Sequence, residues 1–150
     1  MNNRIDYAKA SPEGFKAFGA VYTFLQKSRL PKELIDLVNL RVSQINGCAY
    51  CIDIHSRDLV KQGVTLNKLV LVPVWRGAGE VFSARERSAF AWAETVTRVA
   101  ETGVLDADYE AAAAEFSAKD LADLTYAIGL MNAFNRFGIA FRTPPTAGKV

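Results

Sequence analysis

The 150-residue chain is poor in the residue types that most often carry chemistry. It holds two cysteines, Cys48 and Cys51, and one histidine, His55, all within eight positions. Two cysteines three apart cannot staple a fold, so a disulfide scaffold is excluded. No apolar run approaches the ~18 residues of a membrane span. The opening residues lack the apolar stretch of a secretory signal, so the chain is expected to stay in the cytoplasm. Charge of one sign is also missing: 18 basic and 16 acidic residues leave +2. So even a balance argues against nucleic acid or an anionic membrane as partner. No G-x-G-x-x-G follows a strand pattern, so no nicotinamide site is expected. Alternating β-type runs are scarce, and repeats and Gly/Ser linkers are absent.

What is present is apolar residue at 50% and charge at 23%, ordinary for a globular protein. A chain of this length buries roughly 68–70% of its unfolded surface in one core. Residues 1–150 are therefore expected to form one all-α domain, a bundle of six or seven helices. Ser11-Pro12-Glu13 opens the first, with Phe15, Phe18, Val21, Tyr22 and Leu25 on one face. Pro31 opens the next, which turns Leu34, Leu37, Val38, Val42 and Ile45 inward and stops at Asn46-Gly47. A third runs from the cysteines to Gly63, and a short apolar helix follows Thr65 until Pro73 disturbs it. Ser83 and Glu86 form a capping box for a helix to about Ala100. Asp106 caps another, and Ser117 caps the last, apolar on most sides through Phe141. Trp75 and Trp92 are expected as buried anchors.

On a helix, positions 48, 51 and 55 step by three and then four and share a face. Cys48 follows the Asn-Gly break, where free N–H groups and the helix dipole favour a thiolate. Cys51 has His55 one turn on, a base for its proton. Three readings stand. One is a redox dithiol. One is a metal site with C-x₂-C-x₃-H as three ligands, short of zinc's usual fourth unless Asp36 or Asp53 completes it. One is a buried pair acting as small hydrophobes. No α/β pattern supports a thioredoxin-like domain, and Ile52 fills the place a haem-attachment motif reserves for histidine. Asn132, Asn135 and Arg136 share a face of the last helix, fit either for a subunit interface or for water.

The stretch from Asp36 through Arg41 and Asn46-Gly47-Cys48-Ala49-Tyr50-Cys51, followed by His55, resembles the core motif of alkylhydroperoxidase D-like proteins of the carboxymuconolactone decarboxylase superfamily. The resemblance is strong over about residues 30–63. It continues more loosely through Trp75-Arg76, Glu86-Arg87, Trp92, the run from Asn132 to Arg136, and Thr143-Pro144-Pro145. It implies an all-α trimer or hexamer that reduces organic hydroperoxides. It implies Cys51 as the attacking thiol, Cys48 as the resolving one, and His55 in a proton relay with an acid twelve residues before the first cysteine. That acid is glutamate in the family and Asp36 here, one methylene shorter, so the relay is expected to weaken or to need a water. Glu33, one turn earlier, is the substitute candidate. No bound cofactor and no metal are expected. The resemblance implies an external dithiol reductant such as a lipoyl group on a partner protein, driven through a dehydrogenase. The competing functions are a general disulfide reductase and a redox or metal sensor that uses the same pair. The superfamily's ring-cleaving branch lacks the CxxC pair, which counts against it.

Overall fold

The computed structural model describes residues 3–146, which are mostly helical with no strand among them. Seven helices exceed one turn: α2 (Pro12–Gln26), α3 (Lys32–Asn46), α4 (Ala49–Lys61), α5 (Leu66–Leu71), α6 (Ala84–Thr97), α8 (Asp106–Ala113) and α9 (Ala118–Ala140). Two four-residue helices, α1 (Tyr7–Ala10) and α7 (Val99–Thr102), complete the set. As the sequence indicates, α5 passes at Pro73 into 3₁₀ turns over Val72–Gly77, because proline has no N–H to continue the ladder. The capping box forms in full, with Ser83 and Glu86 each accepting from the other's backbone N–H. The cap of α8 differs from expectation. Leu105 holds the cap position, and Asp106 is the first helical residue, where its charge faces the dipole.

Helix α3 is the central pillar. It packs against α4, α6 and α9, and every residue from Leu34 to Leu40 is buried. Leu34, Ile35, Val38 and Val42 join one core cluster with α6 and α9 residues. Leu37 and Leu40 join a second with Leu59, Phe82 and Phe90. A helix in this position should be apolar all round. Yet Asp36, Asn39 and Ser43 are buried on it.

The predicted inner face of α2 is largely open instead. Only Leu25 is buried, while Phe15, Val21 and Tyr22 are exposed. The cause is geometric: α2 lies chiefly on α1 and α9, and these cover only part of a wide apolar stripe.

The turn that aims the cysteines depends on Gly47, which sits in the left-handed region at φ 72°. A Cβ there would meet nothing within 4 Å, so the cost of adding one is purely conformational. Gly47→Ala is expected to lower stability by about 1 kcal/mol, seen as an earlier denaturant midpoint with an unchanged slope. An unshifted midpoint contradicts this account of the turn.

Candidate redox site

Cys48 is the N-cap of α4, and its sulfur accepts the N–H of Cys51 at 3.4 Å. The two cysteines are joined as a disulfide, with Cα atoms 5.4 Å apart. One turn of helix brings Cα atoms to the separation a disulfide spans without moving the backbone. Both sulfurs lie within the core, Cys48 at 1% exposure and Cys51 at 6%. The helix-end N–H thus serves Cys48, while the thiol one turn from His55 is the less buried of the two.

A lid of backbone covers the pair. Gly138 of α9 stands so close that a Cβ on it would lie 3.0 Å from the Cys48 sulfur and 3.6 Å from that of Cys51. Alanine there would need the sulfurs or the helix to move. Two apolar hollows lie elsewhere on α9. One, of about 620 Å³, is lined by Phe18, Trp92, Tyr109, Tyr126 and neighbours. The other, of about 240 Å³, is ringed by Tyr7, Phe15, Phe134, Phe137 and Phe141. Neither is lined by Cys48, Cys51 or His55.

The imidazole and the acid come from different helices. His55 is mostly buried on α4, and its Nδ1 faces Asp36 Oδ1 of α3 at 3.7 Å. That distance is beyond a direct hydrogen bond, as the missing methylene leads one to expect. Asp36 is itself 4% exposed. Its other oxygen, Oδ2, accepts from Gln62 Nε2 at 2.7 Å and from the Lys32 ammonium. Burial pushes the Asp36 carboxyl up, but the facing imidazole, the ammonium and the amide outweigh it and hold the group below its ordinary 3.8.

The stability Asp36 contributes is therefore complete above pH 3.8 and is lost as pH falls through its lower folded value. Asp36→Asn should flatten the acid limb of a thermal-midpoint-against-pH curve below roughly pH 4. An acid limb identical to that of the unaltered protein would contradict the paired, ionised state.

Glu33 does not substitute for Asp36. It pairs with Lys68 at 3.2 Å, and Lys68 also holds Glu86 at 2.6 Å. Asp53, the other carboxylate considered as a metal ligand, is turned toward Thr146. It accepts from the Thr146 backbone N–H and hydroxyl, both at 2.8 Å, and from Arg57. Among the described residues no group of three or more His, Cys, Asp or Glu side chains converges as a metal's ligands would.

The polar face of α9 has a use the sequence left open. Asn46 donates to Asn132 at 3.0 Å and to Asn135 at 2.9 Å, and Asn135 donates to Ser43 at 3.0 Å. Asn135 is fully buried. These amides pin α9 across the α3–α4 turn, which is what keeps Gly138 over the sulfurs. Arg136 closes the set by donating to the Asn132 carbonyl.

Three site residues escaped the sequence reading, among them Lys32, which stands one turn before Asp36 on α3. Gln62 lies seven positions after His55, two turns along the same face, and that spacing was its only signal. Gly138 is a lone glycine inside an apolar helix, a position that often marks close backbone approach.

The signature of the carboxymuconolactone decarboxylase family matches residues 12–95. The chain belongs to that family. The uncharacterized protein YdfG of Bacillus subtilis (strain 168) is 30% identical over 140 residues, covering 93% of this chain and 95% of that one. A crystal structure from Agrobacterium tumefaciens superposes with a TM-score of 0.92 at 40% identity, over 96% of this chain and 98% of that one. That protein is described as being of unknown function and as a candidate antioxidant defence protein AhpD. An uncharacterized peroxidase-related protein from Silicibacter sp. TM1040 gives a TM-score of 0.79 at 27% identity, over 88% of this chain and 70% of that one. The debrominase Bmp8 has the same fold, with a TM-score of 0.79 at 18% identity over 93% of this chain and 74% of that one. A likeness at that level speaks for the fold alone. Among the described residues no helix is long and apolar enough to cross a membrane.

Proposed function

We propose that this family member is a dithiol peroxidase that reduces organic hydroperoxides. The observation that carries the reading is the triad itself. A CxxC pair closes within one turn of α4, His55 lies one turn beyond Cys51, and the buried, ionised Asp36 faces the imidazole from α3.

In the reduced protein, His55 takes the Cys51 proton while the carboxylate of Asp36 faces its ring. The Cys51 thiolate attacks the terminal peroxide oxygen. The O–O bond breaks, the S–O bond forms, and the proton from His55 leaves with the alcohol. Cys51 is then a sulfenic acid, oxidised by two electrons. Cys48 attacks that sulfur, water departs, and the disulfide forms. An external dithiol returns two electrons by exchange and leaves as its own disulfide. A lipoyl group on a partner protein, itself re-reduced by a dehydrogenase, suits this last step. The shallow burial of Cys51 and the deeper burial of Cys48 support their assignment as attacking and resolving thiols.

As part of the same proposal, the working form is a trimer or hexamer in the cytoplasm, where the reductant pool keeps thiols available. The open apolar faces of α2 and α9 supply surface for such an assembly. Light scattering at micromolar concentration gives the mass directly, and a monomer there removes the assembly from the proposal.

The function is tested by consumption of cumene hydroperoxide with dihydrolipoamide as reductant, with cumyl alcohol counted as product. One alcohol per dithiol oxidised is expected. A protein that exchanges disulfides with the same reductant but leaves the hydroperoxide untouched is a disulfide reductase, and the peroxidase reading falls.

A further inference from the structure

The Asp36 carboxylate is held by more than its histidine. Its two oxygens are divided: Oδ1 faces His55, while Oδ2 takes the Gln62 amide and the Lys32 ammonium. The Gln62 amide also donates to the Asp58 carbonyl at 3.0 Å. Both of its partners are oxygens that only accept, so the nitrogen, not the oxygen, must face them. The side chain is thereby fixed at the C-terminal end of the helix that carries Cys51 and His55. Lys32 reaches Asp36 from one turn back on α3, and its side chain is half exposed.

These contacts address the problem the short side chain creates. A carboxylate on one methylene has two χ angles and ends 3.7 Å from the imidazole. Left with Lys32 alone, it is tied only to a long partner whose side chain is half exposed. Gln62 supplies a donor anchored on α4. The acid is then clamped between two points of the helix that carries the histidine, and Oδ1 stays turned to Nδ1.

We infer that Gln62 is a positioning residue of the redox site: through its hydrogen bond to Asp36 Oδ2 it orients the carboxylate that sets the tautomer of His55. His55 Nδ1 is buried without a hydrogen-bond partner and faces Oδ1 at 3.7 Å, so the charge of a fixed Asp36 favours the proton on Nδ1 and leaves Nε2 bare as the proton acceptor. The inference rests on the peroxidase reading only for what that acceptor is used for.

His55 is the only histidine, so a long-range ¹H–¹⁵N spectrum of the oxidised protein contains one imidazole. In the neutral ring, the unaltered protein is expected to give the Nδ1–H pattern. Gln62→Met keeps the length and removes the donor at an exposed position, and it should shift the pattern toward a tautomer mixture. In the reduced Cys48→Ser protein it should also slow iodoacetamide alkylation of Cys51 by about tenfold, the size of one hydrogen bond to a carboxylate. Asp36→Glu restores the missing reach, so Gln62→Met in that background should change neither reading.

An unchanged imidazole pattern in Gln62→Met overturns the inference. So does a change that Asp36→Glu fails to suppress, because Gln62 would then act other than through the carboxylate. Neither measurement uses peroxide. Failure of the hydroperoxide assay with an intact tautomer response removes the peroxidase reading and leaves the clamp standing.

Discussion

Cys51→Ser should consume hydroperoxide at least about a thousandfold more slowly than the unaltered protein, since removal of a nucleophile leaves only background chemistry. Cys48→Ser should behave differently. It keeps the attacking thiol, the imidazole and the acid, so each chain reduces one equivalent of hydroperoxide and then stops as a sulfenic acid. Dimedone should label that product, and sustained turnover should be lost. The two variants separate roles that steady-state rates cannot, because both stop the cycle but only one abolishes the first step.

The assignment is open to direct reversal. The N–H at the start of α4 is given to the Cys48 sulfur, which favours a thiolate there. His55 and the shallower burial favour Cys51. A one-equivalent burst in Cys51→Ser, with none in Cys48→Ser, would exchange the two roles. The expected order is the first because Cys48 is the more deeply buried residue of the pair and Cys51 is the one with His55 a turn away.

The second large effect concerns the scaffold. Glu94 is a carboxylate 6% exposed on α6. Its Oε1 accepts from Arg41 Nε at 2.8 Å and Trp75 Nε1 at 2.9 Å, and its Oε2 takes Arg76. It joins α3, α6 and the 3₁₀ segment after α5 at one point. Burial pushes its carboxyl up, but the indole and the two guanidinium groups prevail and hold it below its ordinary 4.5.

Glu94→Leu strands the nearly buried Arg41 guanidinium and the Trp75 N–H without an acceptor. Breaking a buried pair from one side costs about 3–5 kcal/mol, or roughly 6–20 °C in Tm for a chain of this size. Replacing both partners removes the stranded charge, so Arg41→Met with Glu94→Leu should lose less than Glu94→Leu alone. A double variant less stable than the single would show that Arg41 finds another acceptor and that the pair is not what holds α3 to α6.

Much of the fold was legible because its signals are local. Ser83 with Glu86, Pro12 at a helix start, Gly47 at a helix stop and Pro73 at a helix break each act within a few residues of themselves. The stacking of Cys48, Cys51 and His55 follows from helix geometry alone, and the structure keeps all three on α4. The exposure of α2 was not legible. A periodic apolar face says that a helix wants a partner, not whether this chain supplies one. Nor did the spacing of Asn132 and Asn135 say which helix they would meet, since Asn46 and Ser43 lie 86 to 92 positions away.

By itself the sequence determined the all-α class, most of the helix starts and stops, and the grouping of both thiols with the sole imidazole, because each is a matter of dihedral preference and residue period. The tertiary structure alone decided which acid faces the histidine. Asp36 and Glu33 stand three apart on α3, and only the packing of α3 against α4 turns the first toward His55 and the second toward Lys68. It also decided that Gly138 would lie on the sulfurs and that Gln62 would reach the carboxylate. Contacts between helices depend on how side chains of several elements fill one volume together, and no single segment carries that information.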